Sequence, residues 1–237
     1  LKKRNPDMRI GFVGAHVAVL PEESLLAAPV LDFVGREEFD YTLLEVAEGR
    51  PYESIAGLSY RKNGEILHNP DRALIEDMDA LPSVLDVYKR DLTIANYSIG
   101  YLKHPYLSLY TGRGCPARCS FCLWPQTVGG HVYRTKSAAK VVAEMARAKE
   151  LFPAVKEFFF DDDTFTADLT RAAQIAKGLG KLGISWSCNS RANVPYEHLK
   201  TFKENGLRLL LVGYESGNQQ ILNNIKKGVR LDIAREF

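Results

Sequence analysis

The chain of 237 residues carries 31 Lys and Arg against 29 Asp and Glu, a net charge of +2, with 46% hydrophobic and 25% charged residues. That balance suits a globular protein with one large or two small cores, and the interspersed charges give no electrostatic footprint for nucleic acid. No apolar run approaches the ~18 residues of a membrane span, and the start, Leu1-Lys-Lys-Arg-Asn-Pro, lacks a signal peptide's apolar stretch, so a cytoplasmic protein is expected.

Leu231-Asp-Ile-Ala-Arg-Glu-Phe237 stops inside an expected helix without a capping glycine, and the chain opens on leucine, so a fragment cut at both ends is expected. In chain order, Arg9–Gly14 reads as a short buried strand and Pro21 onward as a helix with proline in its first turn. Leu31–Val34 is the next expected strand, and Glu38–Glu48 the next helix, closed by Gly49. This β-α-β-α order matches half of a doubly wound sheet. Residues 55–69 alternate around Asn63-Gly64, the pair that supplies the positive φ angles of a tight hairpin. The first domain is therefore expected over residues 1–82, with a linker over 83–105 where periodicity is weak and Leu81-Pro82 breaks the chain.

From Tyr106 the pattern becomes regular. Tyr106–Tyr110, Glu157–Phe160, Ile184–Cys188 and Leu207–Val212 read as strands, the last a continuous apolar run suited to a parallel strand covered on both faces. Between them, Ser137 is placed to cap a helix ended by Pro153, Asp168 to cap Leu169–Leu182 ahead of Gly183, and Pro195–Asn205 forms a third helix. In parallel βα folds the working residues follow the strands' C-terminal ends. Here those ends deliver Cys115, Cys119 and Cys122, then Asp161-Asp162-Asp163, then Asn189 and Arg191, then Glu215.

Three of the four cysteines fall in Thr111-Gly-Arg-Gly-Cys115-Pro-Ala-Arg-Cys119-Ser-Phe-Cys122, spaced C-x3-C-x2-C behind a glycine-rich turn. One loop can aim three thiolates at a common centre and leave a metal position open, which suggests reactivity rather than bracing. Zinc and buried reduced thiols are the alternatives. Cys188 shares an inward face with Ile184 and Trp186 and reads as a packed core thiol. Phe158–Phe160 reads as core too, and His16, His68, His104, His131 and His198 as surface or packing residues.

The cysteine spacing, with Phe121 directly before the third cysteine, resembles the radical S-adenosylmethionine (SAM) superfamily. The resemblance implies a partial parallel (β/α) barrel over residues 106–237, its first four βα units present, preceded by a truncated Rossmann-like domain of the cobalamin-binding type. It further implies a 4Fe-4S cluster on Cys115, Cys119 and Cys122 and cleavage of SAM to a 5'-deoxyadenosyl radical. By position it gives Asp163 the methionine amine, with Asp162 in reserve. Arg191 takes the carboxylate, Glu215 the ribose hydroxyls and Phe121 the adenine. Cobalamin is the candidate third cofactor, although no D-x-H-x-x-G loop surrounds any histidine.

The longer phrases Arg113-Gly-Cys-Pro-Ala-Arg-Cys-Ser-Phe-Cys-Leu-Trp-Pro, Glu157-Phe-Phe-Phe-Asp-Asp-Asp-Thr-Phe-Thr166 and Leu210-Leu-Val-Gly-Tyr-Glu-Ser-Gly-Asn218 resemble the radical SAM proteins associated with hopanoid biosynthesis. That branch implies a rearrangement of a hopanoid's sugar-derived side chain to a cyclitol ether, at the inner face of a membrane, with flavodoxin or ferredoxin as electron donor. The rival readings are a radical SAM methyltransferase or methylthiotransferase acting on RNA or a tetrapyrrole, and a non-enzymatic zinc or iron-sulfur docking module.

Overall fold

The first strand, β1 (Gly11–Phe12), begins on glycine because Phe33 of β2 (Phe33–Gly35) lies across it: a Cβ there would stand 2.2 Å from the Phe33 ring. The two strands run parallel, with Gly11 opposite Phe33. This computed structural model describes residues 1–125 and 127–237. Between the strands lie two short helices, α1 (Ala15–Val19) and α2 (Pro21–Ala27), the second opening on Pro21, which has no N–H to leave unpaired. α3 (Asp40–Ala47) follows, shorter at both ends than the pattern suggested.

Asn63 and Gly64 both take positive φ, 52° and 87°, and fold β3 (Leu58–Lys62) back on β4 (Glu65–His68) as the hairpin expected. The sheet order is β1-β2-β3-β4, with β3 antiparallel to both neighbours. Leu25, Leu31 and Val34 form one small core of this unit, and Phe33, Ile55, Leu58 and Tyr60 another. The unit comprises Leu1–Ile75 together with Cys122–His131.

The second unit comprises Glu76–Phe121 and Val132–Phe237. Residues 83–105, expected as a linker, contain α4 (Leu85–Asp91), whose Leu85 is 1% exposed and belongs to this unit's main core. Leu85 and Tyr88 of this helix carry that contact, with Ile94 just beyond it. One turn of pattern is too short to stand out from the surrounding prolines and aspartates.

β5 (Tyr106–Leu109) starts the main sheet, and two short strands, β6 (Gly112–Arg113) and β7 (Arg134–Thr135), form an antiparallel ribbon beyond it. α5 (Ala138–Leu151) is capped by the Ser137 hydroxyl accepting from Lys140 N, and buries Val141, Met145 and Ala148 at helical spacing. Next come β8 (Glu157–Phe160), buried throughout, and α6 (Leu169–Leu182). Asp168 caps α6 by accepting from Arg171 N at 2.9 Å, and Gly183 ends it at φ 63°. β9 (Trp186–Ser190), α7 (Tyr196–Glu204) and β10 (Leu207–Val212) complete the alternation. β9 sits two residues later than the apolar pattern placed it.

The main sheet has the order β10-β9-β8-β5 and is parallel at every pairing. Phe160 stacks on Phe165 at 5.0 Å, and Trp186 tilts against both while donating its indole N–H to Asn205 O. Phe158 and Cys188 lie in the same core, so both are packing residues as read from the sequence. Two short helices, α8 (Gln219–Asn224) and α9 (Leu231–Glu236), follow β10. Among the described residues no helix is long and apolar enough to cross a membrane.

Candidate functional site

The cysteine loop springs from the C-terminal end of β5 and is closed at its base by the β6–β7 ribbon. Gly112 is glycine because a Cβ would stand 2.7 Å from the Tyr133 ring and 3.0 Å from Arg134 O, so the ribbon could not close over a side chain. Gly114, at φ 88°, turns the chain into Cys115 and donates its N–H to Asp163 at 3.1 Å.

Below the ribbon lies a buried polar knot. The Asp162 carboxylate is fully buried and accepts from Thr111 N, the Thr111 hydroxyl and the Tyr133 hydroxyl, each at 2.6 Å. Arg171, from α6, donates to Thr111 O at 2.9 Å, to Lys136 O at 2.7 Å and to the Tyr133 hydroxyl at 3.4 Å. Burial pushes the Asp162 carboxyl up, against the pull of these hydrogen bonds and of Arg171. Burial and the neighbouring Asp162 charge also push the Tyr133 phenol well above its usual range.

Asp162, expected in reserve for the methionine amine, has another place in the structure. Its oxygens are spent on Thr111 and Tyr133 and it has no exposed surface, so it anchors both sides of the cysteine loop. Asp163 is only partly buried, held on one oxygen by Gly114 N, and burial followed by the charges of Asp162 and Asp161 raises its pKa. Asp161 is paired instead with Asn189 at 3.2 Å and Tyr110 at 3.4 Å, and that phenol is pushed up to about 12 by burial and by Asp161.

None of the four cysteines is in a disulfide. Cys115 is buried with its sulfur 3.5 Å from the Thr164 hydroxyl, and Cys119 is half-buried. Cys122 begins the stretch that belongs to the first unit. Among the described residues no three His, Cys, Asp or Glu side chains stand close enough to share one metal ion. A tetrahedral zinc site with Zn–S bonds of about 2.3 Å needs its thiolates under ~4 Å apart. Three thiols on one loop, one short of the four ligands of a closed zinc site, are the donor set of a cluster that keeps one position open.

Cys115, Thr164, Thr166, Arg191 and Lys227 line a cavity of about 410 Å³ in the second unit. A volume of that size is within the ~300–1,000 Å³ typical of small-molecule sites. Arg191 reaches it from the end of β9, its guanidinium donating to Lys227 O. Glu215, just past β10, takes a positive φ of 62° and pairs with Lys227 Nζ at 2.8 Å. Phe121 is 54% exposed, with Lys227 Nζ 6.0 Å from its ring centre.

The structure thus brings Cys115 and Arg191 to one cavity and links Arg191, Glu215 and Phe121 through Lys227. Four of these contributors, Thr111, Tyr133, Arg171 and Lys227, escaped the sequence reading. Thr111 and Tyr133 flank the cysteine loop and could have been noticed by position, whereas Arg171 sits on a helix surface pattern and Lys227 in a Lys-Lys-Gly turn that reads as solvated charge.

Residues 109–236, over half of the chain, match the family model of the Radical SAM superfamily, and the chain belongs to that superfamily. An uncharacterized methyltransferase from Pyrococcus horikoshii is 32% identical over 241 residues, 96% of this chain and 50% of that protein. Hopanoid C-3 methylase from Methylococcus capsulatus is 28% identical over 100% of this chain and 45% of its own. The structure of the radical S-adenosylmethionine methyltransferase TsrM from Kitasatospora setae, with cobalamin and a 4Fe-4S cluster bound, aligns with a TM-score of 0.69 at 16% identity. That alignment covers 97% of this chain and 48% of TsrM, and it supports the α/β fold with a partial parallel barrel. The chain spans about half the length of the curated relatives it matches.

Proposed function

We propose that the chain carries the SAM-cleaving half of a cobalamin-dependent radical SAM methyltransferase. The observation that carries this reading is the cavity in which a cluster cysteine, Cys115, and a cation for a carboxylate, Arg191, meet at the C-terminal end of a parallel sheet. The side-chain rearrangement expected from the hopanoid resemblance gives way to methyl transfer, because the relatives described above are named as methyltransferases or a methylase. A hopanoid substrate keeps the support of one of them.

In this reading Cys115, Cys119 and Cys122 hold the irons, Asp163 takes the methionine ammonium, Arg191 its carboxylate, Glu215 the ribose diol and Phe121 one face of the adenine. When bound, the cluster supplies the electron that opens the sulfonium and cobalamin carries the methyl group. The protein's own work is positional: Gly114 N fixes the Asp163 carboxylate beside the loop, and Cys115 is held, largely buried, in the wall of the cavity. We assign cobalamin to residues 1–82, where the parallel pair β1–β2 ends in Val13-Gly14 with Phe12 half exposed, an open apolar strand end of the type on which doubly wound domains seat ligands.

The test is anaerobic reconstitution with iron, sulfide and hydroxocobalamin, followed by SAM labelled in its methyl group and a chemical reductant. Labelled methylcobalamin and S-adenosylhomocysteine are expected from methyl transfer, alongside 5'-deoxyadenosine and labelled methionine from reductive cleavage. Formation of 5'-deoxyadenosine with all of the label left in methionine overturns methyl transfer and returns the rearrangement reading.

A further inference from the structure

The turn that follows α8, Ile225-Lys226-Lys227-Gly228, meets the site at four separate places. Ile225 O accepts from Ser120 N at 2.9 Å, next to Cys119. The Lys227 ammonium pairs with Glu215 Oε1 at 2.8 Å and lies 6.0 Å from the Phe121 ring centre. The Lys227 carbonyl accepts the Arg191 guanidinium. Lys227 is itself 7% exposed, unusual for a lysine, which seldom gives up its hydration without a task.

The neighbouring backbone is shaped around this arrangement. At Gly213 a Cβ would stand 2.7 Å from Glu215 Oε1 and 2.9 Å from Lys227 Nζ, so the ion pair crosses a surface that only glycine leaves open. Gly228, at φ 66°, faces the Arg191 guanidinium, 3.5 Å from where a Cβ would be. Lys226 takes φ 54°, so left-handed residues stand on both sides of Lys227 and bend the chain sharply enough to aim it inward.

We infer that Lys227 is a positioning residue for SAM, presetting Glu215, Phe121 and Arg191 at once, an inference that rests on the SAM-binding assignment above. Its ammonium is too committed to Glu215 to serve as a free ligand contact. What the residue supplies is order: its ammonium holds a flexible surface glutamate to one rotamer beside the Phe121 ring, and its backbone carbonyl holds the Arg191 guanidinium. Pre-ordered contacts of this type lower the entropy lost when the ligand is seated.

Replacing the ammonium by a neutral side chain of similar length, Lys227→Met, removes the pairing while keeping the apolar stem. With the cluster reconstituted, the expected result is a SAM Kd raised ~10- to 100-fold, the range seen when a supporting partner of a binding group is lost. Lys227→Arg should recover most of the affinity, and Glu215→Gln combined with Lys227→Met should cost little more than either alone. Iron content, the cluster's visible absorbance and the unfolding midpoint are read in parallel. Unchanged SAM affinity in a folded, cluster-loaded Lys227→Met protein overturns the inference. So does equal loss in Lys227→Arg, or full additivity in the double variant. If the wild-type, cluster-loaded protein binds no SAM at all, it is the SAM-site assignment that fails, a result visible before any variant is made.

Discussion

The two ends of β8 carry acidic residues in opposite circumstances. At its start, Glu157 has a fully buried side chain and is surrounded by donors: Arg208 at 2.8 Å, Lys103 N at 2.7 Å and the Ser187 hydroxyl. Burial raises its pKa, the Arg208, Lys103 and Ser187 hydrogen bonds outweigh that, and the carboxyl ends below its usual value. Past its end, Asp161, Asp162 and Asp163 have no salt-bridge partner within the described residues, and burial leaves all three above theirs. The sheet thus sets an ion pair against the acid at one end, whereas at the end beside Cys115 three carboxylates share the nearby Arg171 charge at most through Asp162. Uncompensated carboxylates are a cost to the fold that a cationic ligand group can relieve, which is how a binding site differs from a structural ion pair.

The largest separation between the two roles comes from the thiols. Cys115→Ala, Cys119→Ala or Cys122→Ala should abolish cluster formation and SAM cleavage, a loss of at least ~10³-fold in rate. Cys188→Ala, deep in the core, should leave both unchanged and cost on the order of 1–2 kcal/mol in stability from the small cavity. Iron analysis and release of 5'-deoxyadenosine read the first, and chemical denaturation the second. Equal iron content in wild type and Cys119→Ala would sink the cluster assignment.

Next in size is Asp162→Asn. The amide turns one acceptor into a donor facing the Thr111 and Tyr133 donors, leaving buried groups unsatisfied at a cost of about 2–4 kcal/mol. Because those two residues stand on either side of the cysteine loop, iron incorporation should fall with stability. Asp161→Asn, which disturbs only contacts to Asn189 and Tyr110, should retain iron. A stable, fully loaded Asp162→Asn protein would show that the knot does not anchor the loop.

How much of this was legible beforehand follows from the range of the signals. The caps Ser137 and Asp168, the stop at Gly183 and the Asn63-Gly64 turn are local chemistry, and each appears where the sequence put it. The parallel strands could be read from short apolar runs, although the boundaries of β9 moved because polar Asn189 and Ser190 continue the ladder beside β10. What stayed hidden depends on residues far apart in the chain. Nothing near Asp162 in sequence tells it from Asp163; the difference is a tyrosine 29 positions upstream. Lys227 likewise acquires its role only when β9, β10 and the cysteine loop meet around it.

The smallest effects test the comparison most directly, through pH. A carboxyl held below its usual value stabilises the fold above that value and loses this contribution as pH falls; one pushed above its usual value does so below it, and loses it as pH rises. Glu157→Gln should therefore cost about 2–3 kcal/mol at neutral pH, where the ion pair is intact, and less as the medium is acidified through the range below the usual 4.5. Asp163→Asn should act in the other direction. It removes a charge that is unfavourable at neutral pH and should raise stability there by a fraction of a kcal/mol, the gain shrinking toward the usual 3.8 as wild type itself becomes protonated. The same variant should bind SAM more weakly, since the carboxylate it removes is the one assigned to the methionine ammonium. Unfolding midpoints of both variants from about pH 2.5 to 7, beside SAM affinity, decide it: slopes of the same sign would mean that the two ends of β8 are electrostatically alike and that the site's charge is merely solvated.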